Sequence, residues 1–494
     1  MSDTAASDSS AGTLTPAREP RSDHGRSGAC DQRSRLLEAI LTVVASDGYG
    51  GAKIGEIAAR AGVSRATFYD FFDDKQDCFN AAHEQLARHI GEQIEGEIER
   101  AEPARAAHAA VEAIAALTQR EPQALSFLTH EALLAGERAR TQHDQLLARL
   151  ERATEHAWEQ APEDEPAPDI PARVLLGGTV RLYCMQTRRG DPQAEELLPA
   201  LLRWIDCYTT DERSGSRRKH LCACERGPRP AASSAPRTGS PRMLPRGRHR
   251  LPREVVDAIQ RERIAYATAD VIRAHDGTAV AVAEIVAAAG VSREVFYAYF
   301  SDKEQAFLAA HQLIFEQLMA ASSSAFFTPG TSWPERVWHG ASAFAGLLAA
   351  NPSFAHFAFV AAYGIGETGV RRMDESAVAW GLFLEEGYRA RPEATELSRL
   401  TSDAIALGIM ESAALYVRSG RTTDLPMLVP TVTYTALAPF IGPDAAGELV
   451  DRICERERTS AGGRPARNAP ARQPRSRDTI TVHKEISDAQ PAHG

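Results

Sequence analysis

No part of the sequence carries the signature of a catalyst. There is no glycine-rich phosphate loop, no nucleophile elbow and no pair of histidines at metal-ligand spacing, so an enzyme would be without machinery. There is also no excess of positive charge. A formal net charge of −10 excludes a polybasic nucleic-acid binder held by bulk electrostatics, and any DNA binding must come from a few placed groups. The seven cysteines (Cys30, Cys78, Cys184, Cys207, Cys222, Cys224 and Cys454) are odd in number and scattered, and no charged-then-apolar leader opens the chain. The expected compartment is a reducing cytoplasm. The most apolar stretch, 341–366, is interrupted by Asn351-Pro352 and His356, so it reads as a buried helical pair and not a membrane span. His220, Cys222 and Cys224 lie close together, but the tight Cys-x-Cys spacing and the lack of a second pair argue against zinc. No metal and no cofactor are expected.

What is present is a repeat. Ile54 to Phe72, IGEIAARAGVSRATFYDFF, returns 228 positions later as VAEIVAAAGVSREVFYAYF, Val282 to Phe300. Ile54, Ile57, Ala58 and Ala61 fall at i, i+3, i+4 and i+7, one buried face of a short helix, and Val282, Ile285, Val286 and Ala289 repeat it. Gly62 and Gly290 stand where the chain must turn sharply, and a residue without Cβ takes a left-handed conformation at little cost. Ser64 and Ser292 are N-cap candidates for a second helix carrying Phe68 and Tyr69, or Phe296 and Tyr297. Each copy therefore predicts a helix-turn-helix, whose second helix fits the DNA major groove.

The AGVSR turn, the FY pair, the closing Phe and a lysine three residues beyond it (Lys75 and Lys303) resemble the tetracycline-repressor (TetR) family of bacterial transcription regulators. The resemblance implies an all-α chain of two modules, each a three-helix DNA-binding unit followed by a helical regulatory and dimerisation unit. The expected organisation is a disordered tail over 1–30, a first head over 31–90 and a first regulatory unit over 91–212. A basic Pro/Arg-rich linker covers 213–252, where Glu225 is the only acid. A second head over 253–312, a second regulatory unit over 313–457 and a disordered tail over 458–494 complete it. Asp31 is expected to cap the first helix, and Asp73 with Gln76, or Ser301 with Glu304, to form capping boxes ahead of a long fourth helix. Two helical segments close each module, 174–188 with 193–208 and 397–418 with 425–440. In the family such a pair packs on a partner's pair, and Gly177, Gly178 and Gly408 would admit close approach. The halves are expected to pair as a pseudo-dimer in one chain, or two chains as a homodimer.

Carried over by position, the resemblance assigns Ser64, Tyr69 and Lys75 to phosphates, and Arg65, Ala66, Thr67, Asp70 and Phe71 to bases or the groove wall. The second head's equivalents are Ser292, Tyr297 and Lys303, with Arg293, Glu294, Val295, Ala298 and Tyr299. Arg65 and Arg293 suit a bidentate contact to guanine. The two faces differ, so two unlike half-sites of double-stranded DNA are expected. Trp338, Phe354, Phe357, Tyr363, Trp380, Phe383 and Met410 in the second regulatory unit suit a pocket for a small lipophilic effector, with an ordinary aromatic core as the alternative. The function expected is a ligand-responsive repressor. The other class compatible with Asp70 and Glu294 on the reading faces is a small-molecule-binding or interaction module whose heads no longer bind DNA.

Overall fold

The computed structural model describes residues 24–162, 164–190, 194–209, 216–226, 251–275, 280–361, 367–390 and 397–462, and every element among them is helical. The first head consists of α1 (His24–Gly51), α2 (Ile54–Arg60) and α3 (Arg65–Tyr69). Leu36, Leu37, Ile40, Val43 and Val44 line the buried stripe of α1 and close on Ile57, Ala58 and Phe68. Gly48, at φ 66°, breaks α1 near its end. The helix starts earlier than expected. Residues 24–30 are helical, and Asp31 lies inside α1 pairing with Arg35 at 3.4 Å where a cap was expected. The rest of the expected tail, 1–23, lies outside the described residues.

The fourth helix, α4 (Lys75–Arg100), runs without a break across the expected domain boundary at 90. Its cap is Asp74, which accepts from the Asp77 amide at 2.8 Å, and in the second module Asp302 accepts from Gln305 at 2.9 Å. Both caps sit one residue later than expected, because the helices begin at the lysines and only the preceding side chain reaches the N3 amide. Next come α5 (Ala106–Arg120), α6 (Pro122–Ser126), a π-turn over Phe127–Glu131, α7 (Ala132–Leu134) and α8 (Glu137–Glu159). Then α9 (Ala172–Arg189) ends on a left-handed Gly190, and α10 (Ala194–Asp206) follows.

The linker departs from expectation. Ser216–Arg226 forms α11, with Leu221 fully buried. The Asp169 carboxylate accepts from the Arg217 and Arg218 amides at 2.8 and 2.6 Å, satisfying donors that a helix start leaves open, and the Arg217 guanidinium reaches Asp451 at 2.7 Å. Residues 227–250 of the linker lie outside the described residues.

The second module repeats the plan through α12 (Arg253–Ala274), α13 (Val282–Ala289), α14 (Arg293–Tyr299), α15 (Lys303–Phe326), α16 (Trp333–Ala350), α17 (Pro352–Phe359), α18 (Glu367–Ala379), α19 (Gly387–Ala390), α20 (Arg399–Arg418), α21 (Val429–Ile441) and α22 (Pro443–Gly462). The last helix continues beyond 457, so the expected tail starts later; residues 463–494 lie outside the described ones. Across the middle of the molecule α9 lies along α20, the most extensive helix pairing among the described residues, and α10 also packs on α20. The fully buried Tyr208 hydroxyl donates to the Thr435 carbonyl at 2.8 Å and accepts from the Trp204 indole at 2.8 Å. Helix α20 is the one described helix apolar and long enough to cross a membrane, and it is spent on this interior packing.

Candidate nucleic-acid interface and effector cavity

Each head presents a short helix on a fixed turn. Gly62 and Gly290 adopt φ of 66° and 61°, as the turn requires. Ser64 accepts from the Thr67 amide at 3.0 Å and Ser292 from the Val295 amide at 3.2 Å, so both serines start the second motif helix. Phe68 and Phe296 are fully buried and anchor it. The opposite side faces outward: Ser64, Arg65, Ala66, Tyr69 and Asp70 are exposed in the first head, and Ser292, Arg293, Glu294, Tyr297 and Ala298 in the second. Thr67 and Val295 are half-buried beside them. Tyr69 and Tyr297 are among the most exposed large side chains described, at 52% and 56%, although an aromatic ring favours burial.

Four residues sit differently from the expectation. Phe71 is half-buried against the head's own core, and Tyr299 donates to Asp257 of α12 at 2.6 Å. Lys75, half-buried, donates to the Tyr49 and Ala52 carbonyls at 2.6 and 3.0 Å and lies 4.4 Å from the Tyr49 ring; burial lowers its pKa. Lys303 reaches the Val280 carbonyl at 3.3 Å. Both lysines thus tie the fourth helix to the start of the motif, a task that the linear pattern does not reveal.

Two arginine pairs were not foreseen. Arg263 donates to the Ala289 carbonyl at 2.6 Å, clamping the turn, and Arg35 holds the corresponding place beside Gly62. Arg33 and Arg261 each stand 5.5 Å over the closing phenylalanine, Phe72 or Phe300. Both pairs keep the 228-residue offset of the motif, and that offset was the signal available to find them.

In the second regulatory unit, α15, α16, α20 and α21 surround a cavity of about 810 Å³, part of it open to solvent. Trp380, Phe383 and Met410 line it as expected, with Phe326, Phe344 and Ile409. Trp338, Phe354 and Phe357 do not. Trp338 is buried with its indole on Glu457 at 3.2 Å, Phe354 stacks on Tyr266 and Phe357 on Phe307, so these three are core. Tyr363 lies outside the described residues. A second recess of about 490 Å³ shares Phe344, Trp380 and Met410, and its wall includes Arg181 of the first module.

Two clusters have metal-ligand character. His143, Asp144 and Glu411 bring their donor atoms within 4.8 Å of one another, but Arg418 donates to both carboxylates at 2.6 Å and makes the cluster an ion-pair network. His220 approaches Cys224 at 3.6 Å, and the same imidazole nitrogen meets Asp451 at 3.1 Å.

The profile of the bacterial regulatory proteins of the tetR family matches the chain twice, over residues 36–82 and 264–310. The HTH-type transcriptional regulator BetI of Yersinia pestis (strain Pestoides F) is 38% identical over 63 residues, 13% of this chain and 32% of that protein. The HTH-type transcriptional repressor LfrR of Mycolicibacterium smegmatis is 37% identical over 78 residues, 16% of this chain and 38% of that one. The match thus spans about a third of the length of these curated relatives. Among solved structures, a TetR family transcription regulator from Marinobacter aquaeolei VT8 is 18% identical, covering 37% of this chain and 98% of its own, with a TM-score of 0.31.

Proposed function

We propose that this chain, whose two heads both belong to the tetR family of bacterial regulatory proteins, is a DNA-binding transcriptional regulator that reads one operator with two unlike faces. The observation that carries the reading is the doubled helix-turn-helix, each copy holding an arginine and a tyrosine on an exposed face over a buried phenylalanine anchor. Arg65 and Arg293 are the base-reading residues, each suited to a guanine. Tyr69 and Tyr297 are the phosphate contacts. Thr67 faces a thymine methyl in one half-site and Val295 an apolar base edge in the other, so the operator is not a palindrome. The protein acts in the cytoplasm, where the DNA is.

The regulation proposed is repression relieved by a lipophilic small molecule in the second module's cavity, with Trp380 and Phe383 as its aromatic walls. Arg181 supports a coupling route, because a ligand in the adjoining recess would press on a residue of the first module and change the spacing of the heads.

The test is fluorescence anisotropy on the duplex upstream of the chain's own gene, with Arg65→Ala, Arg293→Ala and both. Each single change is expected to weaken binding about 10- to 100-fold, the worth of one bidentate base contact. Binding no tighter than to scrambled DNA, on this and other promoter fragments, would favour the interaction-module reading that the exposed Asp70 and Glu294 support.

A further inference from the structure

Two ion pairs of the interface between the modules repeat each other, and a third does not. Helices α8 and α18 start 230 positions apart, at Glu137 and Glu367, and α9 and α20 keep that offset through Gly178 and Gly408. In this register Arg188 corresponds to Arg418 and Asp144 to Asp374. The contacts cross reciprocally: Arg418 clasps Asp144 with bonds of 2.9 and 2.6 Å, and Arg188 pairs with Asp374. This is the self-complementary pattern of a two-fold interface, in which i meets j and j meets i. A module paired with a second copy of itself would keep both contacts. They select no partner.

The exception lies on the axis. Arg181 corresponds to Glu411, and the two meet, with Arg181 Nη1 3.6 Å from Glu411 Oε2. A position that touches its own counterpart lies on the pseudo-two-fold, so in a homotypic pair it would face an identical side chain. Arg181 is 10% and Glu411 1% exposed, leaving little water to screen like charges held there. The charge on Glu411 is maintained: burial alone would raise its pKa, but Arg418, His143 and Arg181 together hold it well below the usual carboxylate range.

We infer that Arg181 and Glu411 form a partner-selecting pair: opposite charges at one pseudo-symmetric position admit the first module against the second and reject either module against its own copy. The repulsive arm matters as much as the attractive one, since the two reciprocal ion pairs beside it are indifferent to the partner. The inference rests on the tandem-regulator reading and names what enforces it. Two unlike heads are then always presented together, which fits an asymmetric operator.

The test uses the full chain with Arg181→Glu, Glu411→Arg and the double swap, followed by thermal melting and light scattering. Each single change clusters like charges and should lower Tm by roughly 10 °C. The double swap should restore most of the lost Tm, because the new carboxylate would lie beside Arg188 and the new guanidinium beside Asp144; the remainder reflects His143, which faces Glu411 and whose counterpart is Met373. An equimolar mixture of the two single variants, refolded together, should give two-chain particles, since each module then finds its complement only in the other chain. Single variants that melt with wild type, or a double swap as damaged as the worse single, would overturn the inference. A wild type that is itself two-chain, with the double swap still restoring Tm, would keep the charge pair and sink pairing within one 53.6 kDa chain.

Discussion

Gly178 and Gly408 occupy equivalent places in the two modules and press their backbones together. A Cβ on Gly178 would lie 2.6 Å from the Ala404 carbonyl oxygen, and one on Gly408 would lie 2.4 Å from that of Val174. Ala404 and Val174 are themselves equivalents, four residues before each glycine. The closest approach in the interface is therefore reciprocal, and it exists because neither position carries a side chain.

The consequence is measurable. Gly178→Ala or Gly408→Ala forces backbone apart where nothing flexible can yield, and each should destabilise the chain by about 2–3 kcal/mol. Gly55, a helical position with open space around it, is the control: Gly55→Ala should be neutral or gain about 0.5–1 kcal/mol. Denaturant melts distinguish the two cases, and equal effects at all three sites would remove the close-packing account.

Tyr208 tests the interface by a different term. Its hydroxyl is the partner of both the Trp204 indole and the Thr435 carbonyl. Tyr208→Phe preserves the packing and leaves two buried polar groups without that partner, which should cost about 1–3 kcal/mol. The same assay shows it, and a loss below about 0.5 kcal/mol would mean that those groups find other partners.

His83 and His311 are equivalents on the fourth helices, and burial brings both down to about 4. The His83 Nε2–H donates to the Leu128 carbonyl at 3.1 Å beside Phe79 and Phe127, with His143 nearby; Arg372 and Glu375 lie near His311. Above pH ~6.5 both states are neutral at these sites and pH has no leverage through them. Below it the unfolded chain takes up protons that the folded chain refuses, so stability falls as pH drops from about 6.5 to about 4. The full loss is about 3 kcal/mol per histidine. Melts of His83→Gln and His311→Gln across that window should each be flatter than wild type.

The heads were legible because their determinants are local: apolar spacing, a turn glycine and a capping serine all lie within 19 residues. What escaped depends on distant partners. Helix α11 forms where the composition reads as linker, because Asp169, 47 residues upstream of Ser216, accepts from its first amides. The aromatic inventory of the second module was right in kind, but it could not separate Trp380 and Phe383, which line the cavity, from Phe354 and Phe357, which stack on the head's Tyr266 and on Phe307 of α15. Neighbours across the fold decide that, and period alone does not carry them.

Lys75 separates two roles that family resemblance runs together. A lysine bound to phosphate releases counterion, so its loss flattens the salt slope of DNA binding by about 0.9. Here the ammonium is tied to two carbonyls at the end of α1 and start of α2, next to the Tyr49 ring, and Tyr49 is held in turn by its amide on Glu131 at 2.7 Å. Lys75→Met should therefore lower head stability and weaken DNA binding while leaving the salt slope unchanged. Glu131→Gln, remote from any groove, should weaken binding in the same slope-preserving way. Anisotropy titrations at several salt concentrations measure both quantities at once. A slope flattened by about one unit in Lys75→Met, with Tm unchanged, would return this residue to the phosphate backbone.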